Sequence, residues 1–116
     1  MATLDPIYQG ADYAYDLAIS ENGTALDLTG ATLSAQLRKA ASSTDVLASF
    51  VSSIPTQSGS LVGSASLSLA ASVTATIPAS TGDGWAHDAF LHLPDGRTLD
   101  IVPLTPIPVI ARVTRP

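Results

Sequence analysis

His87 and His92 are the only two imidazoles in the sequence, and they stand five positions apart in a run, Trp85 to Leu93, that alternates between two faces. A shared metal would need both rings on one side, but an odd spacing on an extended strand sends them to opposite sides, so no metal site is expected. Asp88 and His92 flank Phe90 on one face, and with a nearby serine they would make an acid, a base and a nucleophile. The surroundings that such chemistry needs are missing. There is no G-x-S-x-G elbow and no glycine-rich phosphate loop ahead of a helix, and the aspartates lack calcium-loop spacing. Asp83, Asp88, Asp95 and Asp100 read as turn residues and solvated strand faces. The expectation is a protein that is not an enzyme and uses no cofactor.

The elements that would position these side chains are strands. Apolar residues alternate in segment after segment, which is the period of a half-buried strand. Tyr13, Tyr15, Leu17 and Ile19 share one face of a first long strand, opposite Asp12, Ala14, Asp16 and Ala18. Glu21-Asn22-Gly23 supplies the left-handed backbone of a tight hairpin. Leu26 and Leu28 bracket Asp27, Thr29-Gly30 turns the chain again, and Leu33, Ala35 and Leu37 then oppose Thr32, Ser34, Gln36 and Arg38. Val46, Ala48 and Phe50 suggest a third strand after a turn at Ser42 to Asp45, and Pro55 to Ser60 reads as a polar loop. Leu61, Gly63, Ala65, Leu67 and Leu69 share the face of the next strand. A short helical turn near residues 70–76 is expected, ended by Pro78, with Val73 and Ile77 closing one end of the core.

The last third reads as a hairpin and an edge strand. The Trp85 to Leu93 strand carries apolar residues on both faces, which suits a central position. Pro94-Asp95-Gly96 makes the turn and Thr98 to Val102 returns. Pro106 and Pro108 lack amide protons, so Thr105 to Arg112 belongs at a sheet edge, with Ile107, Val109, Ala111 and Val113 inward, or pairs with a neighbouring subunit. Ile110, which interrupts the polar face, favours the neighbour. The segments Tyr13-Ala14-Tyr15-Asp16 and Trp85-Ala86-His87-Asp88 echo each other, either as a duplicated half or because two long strands meet similar packing demands.

Composition narrows the partners. Ten acidic and five basic residues give a net charge of −5, and Arg38-Lys39 is the only basic pair, so nucleic acid is not an expected partner. Only 13% of residues are charged while 46% are hydrophobic; soluble domains average roughly 25% charged, so part of the surface is expected to meet protein. There is no cysteine, which removes disulfides and thiolate metal sites. No apolar run reaches the roughly 20 residues of a membrane span, because prolines interrupt Ile101 to Ile110. The opening residues lack the pattern of a secretory signal, so folding in the cytoplasm is expected. Tyr8, Tyr13, Tyr15 and Trp85 could stack on a sugar if they emerged on one sheet, but alternation puts Tyr13 and Tyr15 on the core face. The 116 residues are expected to form one all-β domain, a single antiparallel β-sandwich spanning residues 1–116.

The stretch Gly23-Thr24-Ala25-Leu26-Asp27-Leu28-Thr29-Gly30-Ala31-Thr32, followed by Ala35-Gln36 and Arg38, resembles the N-terminal domain of phage upper-baseplate proteins and related β-sandwich modules of tailed-phage virions. Ile7-Tyr8-Gln9-Gly10 with Asp12 to Ser20, Leu61 to Pro78, Gly84 to Leu99 and Val113-Thr114-Arg115 are similar to further parts of such modules, in the same order. The resemblance implies an Ig-like or baseplate-module topology and a non-enzymatic structural role in the virion, assembled in the host cytoplasm. Its partners would be other virion structural proteins and copies of itself, with no nucleic acid and no membrane. A baseplate, tail-tip or fibre-attachment component is the first expectation; capsid decoration or head-to-tail connection, and a carbohydrate-binding module, are the alternatives. The residues expected to make contacts are Asp27 and Thr29 in the D-L-T-G corner, Asp95 and Arg97 at the hairpin, and Ile107, Val109, Ile110, Arg112 and Arg115 along the last strand. Each has a local alternative: Asp27 capping its own turn, Arg97 pairing with Asp95, the last strand closing its own sandwich.

Overall fold

The computed structural model describes residues 4–111. In chain order the strands are β1 (Ile7–Tyr8), β2 (Tyr13–Ala18), β3 (Ser20–Glu21), β4 (Thr24–Ala25), β5 (Thr32–Arg38), β6 (Ala48–Ser49), β7 (Val51–Ser53), β8 (Ser64–Leu69), β9 (Trp85–His92), β10 (Thr98–Ile107) and β11 (Val109–Ile110). A single helical turn, α1 (Ala71–Thr74), separates β8 from β9. The fold is an all-β sandwich. Its larger sheet runs β10-β9-β5-β6 and its smaller one β2-β8-β7, both antiparallel, with the β3–β4 hairpin and a β1–β11 pair beside them.

Alternation builds the core as the sequence implies. Leu33, Ala35 and Leu37 of β5 and Ala89 and Leu91 of β9 are buried, and Tyr13, Leu67 and Leu69 of the smaller sheet lie in the same cluster. The Asn22-Gly23 turn takes the expected left-handed backbone, with φ of 54° and 80°. β9 is central, flanked by β10 and β5. β10 is an edge strand, as its prolines require; Pro103 falls in one of its two register shifts, between Val102 and Thr105 (the other is between Asp100 and Val102), while Pro106 stays in register opposite Ala86. The expected return strand and edge segment are thus one continuous strand as far as Ile107.

Four expectations need correction. The third strand splits at Phe50: Ala48 pairs with Leu37 in the larger sheet, while Val51 pairs with Ser68 in the smaller. One strand thereby crosses between layers and closes that side, and Val46 is exposed. Leu61 lies not on a strand but in a 3-10 turn, Gly59–Leu61, also exposed. Val73 points outward, and Thr74 is the residue that seals the core beside Ile77. The Thr74 hydroxyl donates to the Ala11 carbonyl (2.8 Å) and accepts from the Gly10 amide (3.1 Å), while Asp12 Oδ1 accepts from the Ala71 amide (2.8 Å). The loop after β1 is therefore the mould for α1. Finally, the last strand is parallel to its partner: Ile7 pairs with Val109 and Tyr8 with Ile110. This closes one end of the other side of the sandwich within the chain, and Ala111 is exposed rather than inward.

Candidate interaction surface

The two histidines lie on opposite faces of β9. His87 is buried between the sheets. Its Nδ1 donates to the Gln36 carbonyl (3.0 Å), which leaves Nε2 to accept the Tyr15 hydroxyl (2.5 Å), and its ring packs 4.5 Å from that of Phe50. Burial holds the His87 pKa below its ordinary value, against the opposing pull of the Gln36 carbonyl and Asp88. Burial likewise raises the Tyr15 pKa, with a smaller contribution from Tyr13. The imidazole is thus a neutral link between layers. His92, on the outer face, pairs through Nδ1 with Thr98 Oγ1 at 3.2 Å, not with a serine. Among the described residues, no three His, Asp or Glu side chains stand together as a metal cluster.

The echo between β2 and β9 has a structural counterpart, because its matching members Tyr15 and His87 bond across the sandwich. The halves nonetheless continue differently. β2 leads through a two-residue hairpin into the opposite sheet, whereas β9 turns into its own ten-residue neighbour. The four aromatics do not share one platform: Tyr8, Tyr13 and Tyr15 line a depression of about 470 Å³, but Tyr13 and Tyr15 pack edge to face with Phe50, and Trp85, which donates to the Pro78 carbonyl (2.8 Å) beneath Lys39, does not line it.

The expected contact residues are mostly engaged at home. Asp27 Oδ1 accepts from the Thr29 hydroxyl (2.6 Å) and amide (2.9 Å), which hold its pKa down, so the D-L-T-G corner caps itself. Arg97 pairs with Asp95 (2.9 Å) and with Glu21 (3.0 Å), tying the hairpin turn to the Asn22 corner. Ile107 and Val109 are core residues, 0% and 2% exposed, and their side chains are not available for contact. Ile110 is exposed beside its pairing partner Tyr8. Arg112 and Arg115, like Val113, lie outside the described residues.

The better candidate lies on the outer face of the larger sheet. Phe90 of β9 and Leu104 of β10 are 39% and 55% exposed, and both line a depression of about 360 Å³ with Gln36, Arg38, Ala86 and Asp88. Arg38 is held in place without a carboxylate: Nη1 donates to the Ser43 carbonyl (2.6 Å) and Nη2 to Gln36 Oε1 (2.9 Å). Among the described residues, the ion pairs are those of Arg97 alone. An exposed phenylalanine and an ordered guanidinium around one hollow are residue types enriched in protein interfaces, and Leu104 adds apolar area beside them. Phe90 was legible only as an apolar residue on the second face of a central strand. Leu104 was not, because the β10 bulges shift its register and push it outward.

Neither a scan against protein-family models nor a search of curated proteins finds a match to this chain.

Proposed function

We propose that the chain is a non-enzymatic structural module of a tailed-phage virion, docking on other structural proteins and on copies of itself. The observation that carries the docking role is the hollow ringed by Phe90, Leu104 and Arg38 on the outer face of the larger sheet. The partner it suits presents an apolar side chain for the hollow and a carboxylate for Arg38. The virion placement rests on the resemblance of the D-L-T-G-A-T corner and the closing hairpin to baseplate modules. A baseplate, tail-tip or fibre-attachment position is preferred, with capsid decoration or head-to-tail connection as the alternative location. Of Tyr8, Tyr13, Tyr15 and Trp85 only Tyr8 is exposed, which supports protein contact over sugar stacking.

The test is electron cryomicroscopy of intact particles from the source, with the chain located in the map, together with incorporation of a Phe90→Lys/Leu104→Glu double variant. Density at the tail tip with the outer face of the larger sheet against a neighbour is the expected result, and the double variant should incorporate at least tenfold less. Density on the head would move the protein to the decoration class. Absence from every particle, or normal incorporation of the double variant, would overturn the virion role or the docking face respectively.

A further inference from the structure

The sandwich has one long edge whose backbone is unpaired. Ile19 donates to the Gly63 carbonyl (2.8 Å) in continuation of the β2–β8 register, so the odd-numbered amides of β2 face β8. By alternation, the N–H and C=O groups of Ala14, Asp16 and Ala18 point away from the sheet. Among the described residues they have no backbone partner, and all three residues are exposed. The other edges suit a further strand less well, because β10 carries Pro103 and Pro106 and β6 and β7 are two and three residues long.

A depression flanks each half of this edge. One, of about 470 Å³, lies between Tyr8 and the first half of β2, and the other, of about 420 Å³, between Leu17 and the Leu99 to Ile101 stretch of β10. Neither is lined by a residue of β8, so both open on the free side of β2. The charged residues that line them are all acidic, Asp5 and Asp12 in the first and Asp100 in the second, and Asp16 stands on the edge between them. All four are exposed. Arg97, two residues before Leu99, already pairs with Asp95 and Glu21.

We infer that β2 accepts an extended basic segment of a different protein as an added strand. Directly opposed residues of a strand pair share a face, and Asp16 is on the outer face between Tyr15 and Leu17, which point inward. The segment that fits therefore reads apolar-basic-apolar: a lysine or arginine opposite Asp16, one apolar side chain beside Tyr15 and the other over the opening bounded by Leu17, Leu99 and Ile101. The outward backbone groups of Ala14, Asp16 and Ala18 supply the hydrogen bonds, and the carboxylates select the charge. A second copy of β2 would bring its own Asp12 and Asp16 to an acidic groove, so charge favours a different chain.

This inference does not rest on the virion placement. The test is NMR of the full chain labelled with nitrogen-15, titrated with a peptide of about seven residues alternating valine and lysine, with its valine–glutamate counterpart, and with lysine peptides N-methylated on alternate residues in either phase. The lysine peptide should shift the Ala14, Asp16 and Ala18 amides and protect them from hydrogen exchange, less so as salt is added. The glutamate peptide and one of the two methylated forms should not bind. Asp16→Lys should weaken the lysine peptide about 2- to 30-fold and admit the glutamate peptide. The Asp16 amide faces outward and the residue is exposed, so circular dichroism should be unchanged. Equal binding of the lysine and glutamate peptides, or binding of both methylated forms as tightly as the parent, would overturn the inference. Protection of the three amides in the dilute free chain would show that the chain covers its own edge, and protection that appears only as the chain is concentrated would assign the edge to a second copy; either result overturns it. If no peptide binds, the inference falls, and the Phe90 hollow on the other sheet stands on its own test.

Discussion

Replacing Gln57 by alanine should be among the most damaging changes available outside the core. Its side chain joins three segments: Oε1 accepts from the Leu28 amide (3.1 Å) and the Gly63 amide (2.8 Å), while Nε2 donates to the carbonyls of Pro55 (2.9 Å) and Ser64 (3.4 Å). Leu28 and Gly63 are buried residues, so the substitution orphans two amide donors at about 1–3 kcal/mol each. A depression of about 340 Å³ beside Leu28 and Gln57 lets water reach part of this site. The expected loss is therefore about 2–4 kcal/mol, or roughly 8–16 °C in Tm. Gln57→Glu keeps the acceptor for both amides but sets a carboxylate against two carbonyl oxygens. Its deficit relative to wild type should narrow as pH falls from 7 to 4 and the carboxyl gains a proton. Urea unfolding followed by Trp85 fluorescence and circular dichroism reads both effects, with the exposed neighbour change Ser58→Ala as the control. A Gln57→Ala loss below about 0.5 kcal/mol would refute the claim that one amide holds these loops together.

Acid should weaken the fold through His87. Its folded-state pKa lies below the ordinary value near 6.5, so the unfolded chain takes up the proton first. The contribution is complete above about pH 6.5 and is lost as pH falls towards the folded-state pKa. Urea midpoints at pH 7.5 and 5.5 should show the loss, and His87→Gln should flatten it; an unchanged slope in that variant would assign the effect to another group. Gly84→Ala should cost about 3–5 kcal/mol, because φ is +122° and a Cβ would stand 2.3 Å from the Ile107 carbonyl carbon and 2.5 Å from Pro108 N. Gly82→Ala, at φ +60° with open space around it, should cost about 1–2 kcal/mol. Equal losses at the two glycines would show that the close approach at Gly84 is relieved by a backbone shift. Ile110→Asp should lower folding stability by less than about 1 kcal/mol, since the side chain is 42% exposed, yet reduce particle incorporation; normal incorporation would remove Ile110 from the contact surface.

Of the exposed apolar surface, the sequence singled out Ile110, out of phase with a polar face, whereas Phe90 stood out only as a mark of a central strand apolar on both faces. It could not disclose Leu104, whose exposure follows from two register shifts in β10, or the ordering of Arg38, which depends on the Ser43 carbonyl of a separate turn. It also could not separate Ile107 and Val109, which the core absorbs, from Ile110, because a proline-interrupted edge strand reads the same whether it closes its own sandwich or meets another.

The sequence by itself determined the faces of β2, β5, β8 and β9, the Asn22-Gly23 and Pro94-Asp95-Gly96 turns, the central place of β9 and the edge place of β10. Each of these follows from steric and hydrogen-bonding properties local to a few residues: a period of two, a left-handed φ, a missing amide proton. Tertiary structure alone decided which strands pair, and with it the crossing at Phe50, the parallel β1–β11 closure, the Tyr15–His87 link and the reach of Gln57. A period of two states which residues share a face but not which strand lies alongside. That choice is made by packing and hydrogen bonds between segments far apart in the chain, 72 positions apart for Tyr15 and His87.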